Sequence, residues 1–145
     1  MKPAQVSELV NREAGLLGVF GTSADMRDLL EYEEDDPRAA EAIDLFCYQA
    51  KTFLRTLDVA LGGLDTLVFT GGIGEHAAPV CWRICEGLAF LGTRLDQDRN
   101  VTHAPVISRE DSAVTVGVVW IDENLMIARH THRLNTQKGA QNVSF

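Results

Sequence analysis

The sequence predicts an α/β protein, with a thin and mainly parallel sheet covered by helices. Three observations predict it. Helix-spaced and strand-like segments alternate in the order helix, helix, strand, helix, strand, helix, as in layered α/β architectures. Leu64–Thr70 (LDTLVFT) and Ala113–Ile121 (AVTVGVVWI) have the β-branched, apolar content of strands. Within the first, Leu67, Val68 and Phe69 form a continuous apolar run, which suggests a strand buried on both faces. Two good strands and a doubtful third at Pro105–Ser108 are few for so many helices. The sequence therefore reads as part of a larger domain.

Each element has its own signal. Val6, Leu9, Val10, Ala14 and Leu17 follow helical spacing, weakened at the end by Gly15. Leu16–Gly21 (LLGVFG) reads as a turn. Thr22-x-x-Asp25 resembles a capping box opening a short helix to about Glu33. The acidic run Glu31–Asp36 reads either as a cation or partner site or as a solvated loop between two helices. Asp36 with Pro37 supplies an N-cap and a first-position proline. Ala39, Ile43, Phe46, Ala50, Phe53, Leu57 and Leu61 then predict one long helix, stopped by Gly62 and Gly63. Gly71–Gly74 reads as a loop and Ala78–Leu91 as a helix ended by Gly92, followed by a polar segment, Thr93–Ala104. Glu123–Leu134 closes the chain as a helix. The expected unit is residues 1–134, with 135–145 a frayed tail.

Composition narrows the function. The 145 residues suit one domain, and 46% hydrophobic with 23% charged residues is ordinary for a soluble globular chain. Thirteen Lys and Arg against twenty-one Asp and Glu give a net charge of -8, which disfavours binding to nucleic acid through its phosphates. No apolar run approaches the ~18–20 residues of a membrane span, and the N-terminus lacks a signal-peptide core. Cysteines number three, with Cys81 and Cys85 one turn apart on an expected helix. Reduced thiols in a cytoplasmic protein follow, with no disulfide framework, no nucleic-acid partner and no membrane partner.

Three segments could carry chemistry. Thr70-Gly71-Gly72-Ile73-Gly74-Glu75-His76 joins a strand to a helix. Its glycines allow close backbone approach, and free N–H groups at a helix start suit phosphate or ribose oxygens. It is neither a P-loop nor a Rossmann fingerprint, and by itself it reads either as a tight structural turn or as a ligand loop. In Gly21–Asp28, Asp25 and Arg27 offer a carboxylate and a guanidinium to a polar ligand, or simply belong to a capped surface helix. At Trp120–Asn124, a carboxylate could hold Mg²⁺ through water. Equally, Asp122 could be an N-cap and Glu123 a favourable first-turn acid. His130 and His132 point to different helix faces, and His76, Cys81 and Cys85 lack an evident fourth zinc ligand. No nucleophile elbow or Cys-His pair stands out, so no catalytic residue is assigned.

In combination these segments are more specific. Gly15-Leu16-Leu17-Gly18 with Gly21–Asp28 (GTSADMRD), then Thr70–Glu75 (TGGIGE), then Asp122–Arg129 (DENLMIAR), resemble in order and spacing the motifs of the acetate and propionate kinase family. The resemblance covers about residues 5–134. It implies part of a ribonuclease-H-like domain of the actin-like ATPase superfamily. It also implies transfer of a phosphoryl group between ATP and a short carboxylate, giving acyl phosphate and ADP.

Carried over by position, the resemblance implies nucleotide contacts at Asp25, Met26 and Arg27. It implies an adenosine loop at Gly72, Ile73, Gly74, Glu75 and His76, and a magnesium-associated glutamate at Glu123. Two departures qualify it: His76 stands where the family has Asn, and Ile121-Asp122 where it has Thr-Asn. The resemblance also implies that this is the C-terminal third of such an enzyme. The carboxylate pocket, catalytic aspartate and transition-state arginines would lie upstream, so the isolated chain is expected to be inactive. Expected partners are nucleotide (ATP or ADP with Mg²⁺) and a second copy in a homodimer, with a separate polypeptide supplying the remainder as a further candidate. The alternative is a non-enzymatic module for nucleotide sensing or protein association, and a blander one is a helix-rich domain without a ligand.

Overall fold

A computed structural model of the chain describes residues 1–122 and 125–133. Its centre is the helix that the periodicity predicts, Pro37–Leu61 (here α4). Asp36 caps it by accepting from the Arg38 amide, and Gly62 ends it in the left-handed conformation, φ 78°. Ala39, Ala42, Ile43 and Cys47 form its buried face.

The N-terminal region departs from expectation. Instead of one helix over 6–17, a short helix Pro3–Glu8 (α1) widens into a π-helical turn, Leu9–Glu13. The chain then breaks at Gly15, φ 71° and ψ -141°, a conformation that suits glycine. Leu16–Phe20 is a helix (α2), not a turn, because Leu16, Val19 and Phe20 pack into the core beside α4. Thr22 does not cap the next helix, Met26–Tyr32 (α3). Asp25 does, accepting from the Arg27 amide at 3.0 Å. Ser23 braces the turn, accepting from the Asp25 amide at 3.0 Å and donating to the Asp28 carboxylate at 2.5 Å.

Thr66–Thr70 (β1) and Thr115–Val119 (β2) pair in parallel, Thr66 opposite Thr115 and Thr70 opposite Val119. The thin parallel sheet among helices is as the sequence predicts. Between the strands lie Gly71–His76 (α5), Ala78–Glu86 (α6), a 3-10 turn Ala89–Leu91, and Gln97–Val101 (α7). The predicted Gly71–Gly74 loop is therefore the opening of a helix. In the expected polar segment, Asp96 caps α7 through the Arg99 amide, and Asn100, buried, donates to the Ala78 carbonyl at 2.9 Å. Residues 105–108 form no strand. Val106 and Ser108 make single antiparallel bridges, to Gly117 and Leu95, and Pro105 brings no N–H to a ladder.

Leu67 and Phe69 face inward with Val116 and Val118, closing a core with Leu29, Ile43, Val80, Ile84 and Leu88. Val68 does not share that burial. It is 49% exposed, with Val119 beside it on the same outward face at 50%, because no described element covers this side of the sheet. Residues 125–133 are helical, and the Asp122 carboxylate accepts from the Leu125 amide at 2.8 Å. Glu123, expected to begin that helix, and the expected tail from Asn135 lie outside the described residues. No described helix is long and apolar enough to cross a membrane.

Candidate functional site

The start of α3 and the α5 turn meet in one groove of about 360 Å³. Asp25, Met26, Arg27 and Leu30 form one wall, and Gly72, Ile73, His76 and Ala77 the other. Six of the eight residues the sequence singles out for nucleotide thus converge, although the two segments are far apart in the chain. Met26 is buried, and with Leu30, Ile73 and Ala77 it makes much of the lining apolar.

The polar end is a closed local device. Besides capping α3, the Asp25 carboxylate takes two hydrogen bonds from the Arg27 guanidinium, Nε to Oδ1 at 3.2 Å and Nη2 to Oδ2 at 2.6 Å. Those side-chain bonds, together with the Arg27 amide, hold the Asp25 carboxyl down at about 2. The guanidinium itself stays largely in water, 84% exposed. It can therefore turn to an anionic ligand without unburying anything.

The glycines of α5 have different jobs. Gly71 takes φ 71°, which turns the chain from β1 into the helix. At Gly72 an added Cβ would meet no heavy atom within 4 Å, so the space above it is open groove. At Gly74 a Cβ would sit 3.0 Å from the Phe69 carbonyl carbon, so glycine there lets α5 lie against β1.

Gly74 and Glu75 do not line the groove. Glu75 is buried, and its Oε1 accepts from the Gly71 amide at 3.0 Å and the Ile121 amide at 2.9 Å. The Gly71 N–H, expected to be free for a ligand, is therefore taken. Beneath the turn, the buried Cys81 thiol donates to the Gly74 carbonyl at 3.5 Å. Burial pushes the Cys81 thiol up to about 11 and Cys85 up to about 12.

Sequence reasoning missed Leu30 and Ala77, although Leu30 lies one turn beyond Met26 on α3. It also missed the ring cluster around His76. Trp120 meets His76 edge-on with centroids 5.0 Å apart, and His103 stands 6.4 Å away. Nothing in the spacing brings His103 there. The acidic run proves structural where it is ordered by contacts: Glu33 pairs with Arg83 at 2.7 Å and Asp36 caps α4. Glu123 lies outside the described residues. Among those described, no three His, Cys, Asp or Glu side chains cluster as metal ligands.

The chain resembles known proteins in sequence and in fold. The model of the acetokinase family matches residues 1–129. An acetate kinase of Rhodopseudomonas palustris (strain TIE-1) is 52% identical over 136 residues, covering 92% of this chain and 34% of that protein. The crystal structure of Porphyromonas gingivalis acetate kinase superposes with a TM-score of 0.82 at 36% identity, over 92% of this chain and 34% of that one. A propionate kinase from Francisella tularensis gives 0.81 at 33% identity, over 88% and 33%. The chain spans about a third of the length of the relatives it matches.

Proposed function

The chain belongs to the acetokinase family, and on that premise we propose that it is the nucleotide-binding, C-terminal portion of an acetate kinase. The whole enzyme would move a phosphoryl group between ATP and acetate or a similar short carboxylate. The observation that carries this reading is the shared groove, in which the Asp25–Arg27 segment faces the Gly72–His76 segment. The apolar lining suits a base and sugar, and the exposed Arg27 suits phosphate oxygens. Residues 1–134 are proposed as one unit.

The same groove argues that the isolated chain does not catalyse. Phosphoryl transfer rests on positioning and on cations that neutralise developing charge. Among the described residues, Arg27 is the only Lys or Arg lining the groove, and Asp25 already pairs with it. Mg²⁺ is proposed to arrive with the nucleotide, since that ion needs only one or two carboxylates beside substrate phosphates and waters. Glu123 is proposed to hold it, and bound Mg²⁺ would supply charge neutralisation at the phosphates.

Exposed apolar residues favour association. Val68 and Val119 on the bare sheet face, and Phe53, Leu57, Leu61 and Phe90 around α4, are all exposed. A homodimer is proposed, or a complex with a polypeptide supplying the remainder, in the cytoplasm, where the three free cysteines stay reduced. The same surface favours the second reading, an association module without catalysis.

Calorimetric titration of the purified chain with ADP and Mg²⁺ tests the proposal. Saturable binding that Arg27→Ala weakens supports it, and no binding overturns it. Robust acyl-phosphate turnover by the chain alone would overturn the inactivity. Light scattering from a monomer at micromolar concentration removes the homodimer.

A further inference from the structure

We propose that Glu75 is a positioning residue that clamps the α5 turn to the end of β2, holding the groove wall in shape without touching the ligand. The β1–β2 ladder ends at the pair Thr70–Val119. Beyond it the strands part, one entering α5 at Gly71 and the other leaving through Trp120 and Ile121. At such a fork the next backbone N–H groups lose their ladder partners and need others. The Glu75 carboxylate sits at this fork, 6% exposed, and Oε1 accepts from both sides at once. A second tie, Thr70 Oγ1 to the Val119 carbonyl at 2.9 Å, closes the same gap one residue earlier.

The consequence reaches the groove on both flanks of Glu75. Gly72 and Ile73 precede it and His76 follows it, all three in the wall. Trp120, adjacent to the clamped Ile121, holds the His76 ring edge-on. Releasing the clamp frees the turn and the Trp120 support together, so the nucleotide must order them on binding, which lowers its affinity. This inference rests on the proposal that the groove takes nucleotide, but its structural half does not.

Amide hydrogen exchange and ADP titration of the full chain, on wild type, Glu75→Gln, Glu75→Asp and Glu75→Ala, test it. Gln keeps an oxygen acceptor of the same reach, whereas Asp keeps the charge and loses the reach. Exchange at Gly71 and Ile121 is expected to quicken about tenfold in Asp and Ala and to stay near wild type in Gln. ADP affinity is expected to fall about tenfold in Asp and Ala, with Gln rescuing both readouts. Unchanged exchange in Asp and Ala would overturn the clamp. So would a Gln variant with normal exchange that binds ADP as weakly as Ala, since the carboxylate charge would then act on the ligand. Should Ala fail to fold, Asp against Gln decides. Wild type that binds no ADP would remove the nucleotide reading, while the exchange pattern still judges the clamp.

Discussion

Asp25-Met26-Arg27 and Asp36-Pro37-Arg38 are the same device used twice. Each aspartate caps a helix through the amide two residues on, at 3.0 Å in one and 2.9 Å in the other. Each also takes two bonds from the arginine side chain, Nε at 3.2 Å in both, Nη2 at 2.6 Å and 2.8 Å. The guanidinium holds both carboxyls below the usual carboxylate range. What differs is the residue between and the neighbour opposite. Pro37 suits a first helical position and is exposed, whereas Met26 is buried into the groove that α5 completes. Local chemistry common to both sites must therefore be about stability, and only the company each keeps can speak of a ligand.

The largest expected effect lies on the groove side alone. Gly72→Val should abolish saturable ADP binding while leaving the melting temperature nearly unchanged, because its side chain enters open space. Calorimetry and thermal denaturation together check this, and a large drop in melting temperature would show that Gly72 serves the fold. Next, Arg27→Ala should weaken ADP about tenfold and Arg38→Ala less than about twofold, as a charged hydrogen bond lost or spared predicts. Equal losses would end the distinction between the two caps.

Smaller and symmetric effects should follow at the aspartates. Asp25→Ala and Asp36→Ala should each lower the melting temperature by a few degrees, as cap removal does. The smallest effect is acid titration, followed by carboxyl chemical shifts. Both carboxyls have depressed values in the folded chain. Their stabilisation is thus complete above the ordinary carboxylate pKa and is lost as pH falls through the folded value, about 2 for Asp25. Bound ADP should raise the Asp25 value, as Arg27 turns to phosphate, and leave Asp36 where it was.

The same contrast explains what the sequence made legible. The α4 helix was readable end to end, since its apolar steps, its Asp-Pro start and its glycine stop are all local. Both halves of the groove were readable as motifs, but their meeting was not, because tertiary packing of α3 against α5 leaves no spacing signal. Gly71–Gly74 reads as a loop because glycines are poor helix formers. It is a helix because Glu75 supplies partners across the fold and Gly74 lets it lie on Phe69. Val68 looked buried because its neighbours are, and its exposure depends on which chains cover the sheet. The α7 turn has polar content and no apolar period, so only its Asp96 cap could have announced it.

The thiol of Cys81, lodged under the Gly74 carbonyl, makes the turn its own clock. Burial pushes the thiol up to about 11, so it stays protonated at neutral pH. At 2% exposure the sulfur is also poorly reached by an alkylating reagent while its surroundings stay packed. Cys81 labelling, resolved by peptide mass, should then advance only as fast as the turn lifts off. The half-time of that reaction counts excursions of a segment whose closed state dominates every averaged signal.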